Sequence, residues 1–177
     1  PTTHEKLPGI RIASGSLGQG ISVAIGAALA KKINGDDKLV YCLTGDGELQ
    51  EGQIWEALMF AAAKKVDNLI VTVDWNDAQI DGSTQQVCDL GDLKAKFSAF
   101  GFDVLEMRGN VMEDVLFTLT EAKLRTKKGK PIAILMRTQM GFGVDYMMGT
   151  HKWHGNAPND EQLASALAQL KETLGDY

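Results

Sequence analysis

No stretch of this sequence is apolar over the length a bilayer crossing needs, and none reads as a signal peptide. Positive charge is not in excess. Lys and Arg number 18 against 23 Asp and Glu, a net charge of −5, which argues against general nucleic-acid binding. Cysteine is scarce. Cys42 and Cys88 do not make a disulfide framework, so a reducing compartment, the cytoplasm, is expected. Cys42 lies in an apolar run and is expected to be a buried thiol. Internal repeats and low-complexity tracts are missing as well. What remains is a chain of 177 residues, 44% hydrophobic and 23% charged, which suits one soluble globular domain with a sizeable core. The acidic balance still permits a phosphate ligand, because a helix terminus and a metal ion act locally.

The informative stretch runs from Gly45-Asp46-Gly47 to Asn76. A carboxylate stands between two glycines just after the apolar run 39–43. Asn76 follows a second apolar run, 69–73, and a helical pattern over roughly 52–65 lies between, with Ile54, Ala57, Leu58, Ala61 and Ala62 on one face. The unit reads strand, helix, strand. A parallel crossover ends both strands at the same sheet edge, where open α/β sheets bind ligands. Asp46 and Asn76 are therefore expected side by side. One carboxylate and one amide oxygen suit Mg²⁺, which completes its octahedron with phosphates and water. Gly47 leaves room for a phosphate to approach the backbone. The alternative is an ordinary crossover with a tight Gly-Asp-Gly turn.

Elsewhere the chain alternates in the same manner. Gly15-Ser16-Leu17-Gly18-Gln19-Gly20 opens a helix with Leu17, Ile21, Ala24, Ile25, Ala28 and Leu29 at helical spacing, ended by Asn34-Gly35. Its glycines match neither a Rossmann turn nor a P-loop. They serve either close packing or a ligand. Glu51 and Glu56 stand early in the second helix, where the dipole stabilises an acid. Asp74 supports Asn76 or caps a turn. The segment 77–82 reads as a polar turn and 83–91 as a loop. A short helix over 92–100 is expected to bury Leu93, Phe97 and Phe100. Strands are expected at 102–107 and 131–136. Between them Asn110 and Glu113 suggest a capping box, with Met112, Val115, Leu116 and Leu119 facing inward. A basic run, 123–130, ends that helix. A long loop, 138–158, holds His151 and His154, as surface histidines or as functional ones. Asn159-Asp160-Glu161-Gln162 then caps a last helix with Leu163, Ala166, Leu167 and Leu170 on one face.

Gly45-Asp46-Gly47 followed by Asn76 at this spacing resembles the thiamine-diphosphate motif. The continuation Glu48-Leu49-Gln50-Glu51-Gly52, then Trp55-Glu56-Ala57, resembles the transketolase family in particular, as do Gly15-Ser16-Leu17-Gly18-Gln19-Gly20 and the loop ending in His154-Gly155. The resemblance covers nearly the whole chain from Leu7-Pro8-Gly9 onward. It implies a three-layer αβα fold with a mostly parallel central sheet, residues 1–177 forming a single diphosphate-binding domain.

The resemblance also implies roles. Asp46, Asn76 and the backbone carbonyl of Ala78 would hold Mg²⁺ (or Ca²⁺), and Gly47 would donate its N–H to the diphosphate. Gly15 and Leu17 would touch the ring end of thiamine diphosphate. His154 would face the diphosphate and the reacting carbon, while Glu51 would lie at a subunit interface. The implied reaction is transfer of a two-carbon ketol unit from a ketose phosphate to an aldose phosphate. Dihydroxyacetone synthase, a 1-deoxyxylulose-phosphate synthase and a non-catalytic module of the same fold are the alternatives. A pyrimidine-binding domain or chain is the expected partner, in a homo- or hetero-oligomer, since this chain carries one half-site. Residue 1 is Pro, and sequence upstream of it is expected. The histidine that the family places before Leu-Pro-Gly would fall at or before residue 1, and His4 is out of register for it. The chain alone is expected to bind cofactor weakly and to lack transferase activity.

Overall fold

The computed structural model describes residues 8–171; His4 and Leu7 lie outside the described residues. Four strands form one parallel sheet. They are β1 (Val40–Gly45), β2 (Leu69–Trp75), β5 (Asp103–Arg108) and β6 (Ile132–Arg137), in the order β1-β2-β6-β5. A separate two-stranded hairpin pairs β3 (Ala78–Gln79) with β4 (Gly82–Ser83). β2 and β6 sit in the middle and are buried along continuous apolar runs, as parallel strands covered on both faces must be. Gly45 pairs with Asp74, and Trp75 pairs with Arg137, so the carboxyl ends of β1, β2 and β6 share one rim.

Helices cover both faces. On one side α1 (Gln19–Ile33), α2 (Gly52–Ala63) and α4 (Leu93–Ala99) bury Ile21, Ile25, Ile54, Leu58, Leu93 and Phe97 against the sheet. Phe97 meets Phe102 edge-on and lies 5.9 Å from Trp55, ring centre to ring centre. On the other side α5 (Met112–Arg125) closes over Ile70, Ile132 and Ile134 through Ala122. This is the expected three-layer αβα sandwich with a mostly parallel central sheet. Cys42 is buried, and desolvation, with a smaller push from the Glu48 carboxylate, raises its thiol pKa to about 11; it is an inert core thiol.

Several local expectations need correction. α1 begins at Gln19 rather than at Gly15, because Gly18 takes a left-handed turn at φ 80° immediately before it. The 77–82 turn contains the β3–β4 hairpin. The expected loop 83–91 contains α3 (Thr84–Cys88), whose first turn is capped by Ser83 Oγ accepting from the Gln86 N–H. The capping box at Asn110 is absent. Val111 is the cap residue, and Asn110 instead accepts from the Gln139 N–H at 2.8 Å. α5 is also rolled relative to the expected face. Met112 is 65% exposed and Leu116 61%, while Thr118 and Ala122 are buried, because small side chains let the helix lie close to the sheet. In α6 (Asp160–Gln169) only Ala166 of the four expected core positions is buried.

The α6 capping box is present: Asn159 Oδ1 accepts from the Gln162 N–H at 2.8 Å, and Gln162 Oε1 accepts from the Asn159 N–H at 2.9 Å. Asn159→Ala removes one of these bonds and the cap. It should cost about 1 kcal/mol, a fall of about 2–4 °C in melting temperature for a domain of this size. Thermal unfolding followed by circular dichroism checks it; an unchanged midpoint would show that α6 does not need the cap.

Candidate functional site

The site is built at the rim where β1 and β2 end. Asp46 follows β1 directly, and its N–H donates to the Asp74 carbonyl at 3.1 Å. Asp46 is 1% exposed. Oδ1 accepts from the Gly47 N–H at 2.8 Å, and Oδ2 accepts from the Asp77 N–H at 2.7 Å. Asp46 is thus fixed to the residue beside Asn76, 31 positions further along the chain. Burial pushes the Asp46 carboxyl above the ordinary carboxylate range; the two N–H bonds oppose this, and the carboxylates of Asp77 and Asp74 add to it. A bound cation would favour the charged form.

Asn76 is oriented from two sides. Its Nδ2 donates to Asp74 Oδ2 at 3.2 Å, and its Oδ1 accepts from the Ala78 N–H at 2.9 Å. Asp74 therefore supports Asn76, and Thr138 Oγ1 donates to its second oxygen. Ala78 begins β3, on the same hairpin. A carboxylate oxygen or an amide oxygen keeps a second lone pair after one hydrogen bond, so these atoms can still coordinate a metal.

Gly47 opens a single 3₁₀ turn, and a Cβ there would lie 3.1 Å from Gln79 Cβ. The Gln79 side-chain oxygen is buried close by without a hydrogen-bond partner among the described residues. A buried carboxylate, an orphaned oxygen and a cradle closed to any side chain fit a cation with its phosphate. No group of three or more His, Cys, Asp or Glu side chains among the described residues is arranged to hold a metal. The donor set is the thin kind that suits Mg²⁺ completed by phosphate and water. In this arrangement the Gly47 N–H is engaged by Asp46, and a phosphate would have to take it over.

His154 ends a short 3₁₀ turn, His151–Trp153, and is exposed. Its loop is anchored by Trp153 Nε1 donating to the Tyr146 carbonyl at 3.0 Å and by Tyr146 OH donating to the Gln162 carbonyl at 2.7 Å. His154 and Asn76 line one cleft of about 520 Å³, together with Asp74, Thr138 and Gly141. Thus Asp46, Asn76, Ala78 and Gly47 gather on one rim, and His154 faces the same cleft as Asn76. A Cβ on Gly15 would meet nothing within 4 Å among the described residues, and Leu17 is 51% exposed; neither touches the rim directly.

Glu48 ties the two regions together, and sequence reasoning missed it. Its Oε1 accepts from the Gly18 N–H at 2.8 Å and its Oε2 from the Gly45 N–H at 3.1 Å. Gln53 adds a second tie, donating to the Leu17 carbonyl at 2.8 Å. A Cβ on Gly18 would fall 2.6 Å from Gln53 Nε2, so glycine is needed there for a close approach. Glu51, by contrast, is exposed and precedes α2 with no side-chain cap bond.

A family model described as the thiamine diphosphate binding domain of transketolase matches residues 1–175. One of the two subunits of an apulose-4-phosphate transketolase from Phocaeicola vulgatus is 41% identical over 169 residues, covering 96% of this chain and 59% of that protein. Its namesake from Actinobacillus succinogenes is 39% identical over 172 residues, covering 97% of this chain and 61% of that protein. The crystal structure of transketolase from Campylobacter jejuni superposes with a TM-score of 0.83 at 36% identity, covering 91% of this chain and 26% of that one. The chain therefore spans about three fifths of the first two relatives, 59% and 61% of their lengths. With the clamp geometry, the matching family model and these relatives together, the chain belongs to the transketolase family, through its thiamine diphosphate binding domain.

Proposed function

We propose that this chain supplies the diphosphate- and metal-binding half of a transketolase-type active site, as a single domain whose catalytic partner is a separate pyrimidine-binding domain or chain. The observation that carries this reading is the buried Asp46 carboxylate, bonded at 2.7 Å to the N–H that follows Asn76, on a rim whose cleft also holds His154. Asp46, Asn76 and the Ala78 carbonyl would hold Mg²⁺, with Ca²⁺ as a substitute. Gly47 would release its N–H from Asp46 to a phosphate oxygen. Leu17 and Gly15, held near the rim through Glu48 and Gln53, would meet the ring end. Bound thiamine diphosphate supplies an electron sink for cleaving a carbon–carbon bond. His154 would hold or move a proton at the substrate oxygens, a task that imidazole suits near neutral pH.

The substrates are a ketose phosphate as donor and an aldose phosphate as acceptor of a two-carbon ketol unit. The names of the relatives, all transketolases or transketolase subunits, favour this over dihydroxyacetone synthase or 1-deoxyxylulose-phosphate synthase chemistry, and the intact clamp favours it over a non-catalytic module. That the first two relatives are named as subunits favours a hetero-oligomer. The cytoplasm is the proposed compartment; no described helix is long and apolar enough to cross a membrane.

Calorimetric titration of thiamine diphosphate into the chain, with Mg²⁺ and with chelator, tests the reading. Weak binding that needs Mg²⁺, and ketol transfer only after a pyrimidine-domain partner is added, are expected. Binding indifferent to Mg²⁺ would contradict the clamp, and ketol transfer by the chain alone would contradict the half-site.

A further inference from the structure

Asp77 makes the bond that joins the two halves of the clamp, and it does so from an unusual backbone. It lies at φ 59°, in the left-handed region that residues other than glycine rarely adopt, although Asp and Asn tolerate it better than most. Its side chain is held at both oxygens. Trp75 Nε1 donates to Oδ1 at 2.7 Å, and the Arg137 guanidinium donates to Oδ2 at 2.9 Å. Arg137 also lies over the Trp75 ring, 3.0 Å from its centre. The two are neighbours because Trp75 and Arg137 are register partners at the ends of β2 and β6. The Asp77 backbone is engaged as well, its carbonyl accepting from the Thr84 N–H at 3.1 Å.

From this geometry we infer that Arg137 and Trp75 are positioning residues. They act through the Asp77 carboxylate to hold its N–H on Asp46 Oδ2, and so fix the buried oxygen that would face the metal. The inference rests on the proposed clamp. Stability is a poor explanation for the arrangement. The Arg137–Asp77 pair is largely exposed, with side chains 50% and 62% accessible, and exposed ion pairs add little to folding. What the unit supplies is direction: three contacts select one backbone conformation at a residue that would otherwise leave it. A strand-end residue on β6, 60 positions from Asp77, thereby sets the geometry of the β1–β2 clamp.

The test uses Arg137→Met, Asp77→Gly and the double variant, with two readouts. The first is amide hydrogen exchange at Asp77 in the cofactor-free chain, followed by NMR. Arg137→Met should speed exchange there while leaving the melting temperature nearly unchanged. The second is Mg²⁺-dependent affinity for thiamine diphosphate, read by calorimetry. Arg137→Met should weaken it about 10-fold, the scale seen when groups that orient metal ligands are removed. In the Asp77→Gly background the same change should have less than about a 2-fold effect, since Arg137 then has no carboxylate to act through. Trp75→Phe keeps the ring under the guanidinium but loses the N–H donor, and should fall between. Unchanged exchange at Asp77, an equal loss in both backgrounds, or full affinity in Arg137→Met would each overturn the inference. If the parent chain shows no Mg²⁺-dependent binding at all, the proposed function fails, and the exchange readout still decides whether Arg137 holds the Asp77 contact.

Discussion

Asp46→Asn is expected to weaken Mg²⁺-dependent binding of thiamine diphosphate by about 2–5 kcal/mol, on the order of 100-fold or more, the usual cost of removing one member of a buried, hydrogen-bonded charge pair. Asparagine keeps the shape and removes the charge that a cation would meet. The folding effect should be much smaller, because two changes oppose each other. Asparagine has one acceptor oxygen where Asp46 uses two, for Gly47 and Asp77, and an N–H left without a partner costs about 1–3 kcal/mol. Against that, burial penalises the ionised Asp46 carboxylate, and the neutral amide escapes the penalty. A melting temperature within a few degrees of the parent, beside a large loss of affinity, is the expected pair of results from thermal unfolding and calorimetry. Parent-like affinity in a folded Asp46→Asn chain would remove Asp46 from the metal site.

The second large effect is expected at Gly141, which lines the cleft with His154. It sits at φ 69°, and a Cβ there would lie 2.5 Å from Met147 Cβ and 2.8 Å from the Met147 carbonyl atoms. Backbone cannot step aside as a flexible side chain can. Gly141→Ala therefore combines left-handed strain with overpacking, about 2–4 kcal/mol together. The sheet does not depend on this loop, so the change should appear first as faster amide exchange over 139–154 and as loss of cofactor response, with the β2 and β6 amides still protected. Parent-like exchange across the loop would show that the chain relaxes without moving His154.

The sheet and its rim were legible because the evidence for them is local. Leu69 to Val73 and Ile132 to Leu135 are continuous apolar runs, which is how doubly covered strands read. Gly45-Asp46-Gly47 and Asn76 each sit at or one step beyond a strand end, and parallel pairing does the rest. Placing His154 needed the family resemblance, since a lone histidine in a long loop carries no periodic signal. The orienting contacts were not legible. Glu48 reaches Gly18 across 30 residues, Arg137 reaches Asp77 across 60, and Thr138 reaches Asp74 across 64. Such pairs are set by the strand order β1-β2-β6-β5, in which β6 inserts between strands that precede it in sequence. Asp74 was within reach of sequence reasoning: it stands two residues before Asn76 at the end of a strand, and period-2 alternation puts both on one side. The misplaced faces of α5 and α6 have a different cause. Hydrophobic size suggested Met112, Leu116, Leu163 and Leu167, whereas close packing selected Thr118, Ala122 and Ala166.

The most direct measurement replaces Mg²⁺ by Mn²⁺, adds thiamine diphosphate, and locates the metal by anomalous scattering in crystals of the chain. A single peak within coordination distance of an Asp46 carboxylate oxygen, Asn76 Oδ1 and the Ala78 carbonyl is the predicted result. A peak elsewhere, for example between Asp77 and Asp89, or cofactor bound with no metal at the β1–β2 rim, would contradict the account.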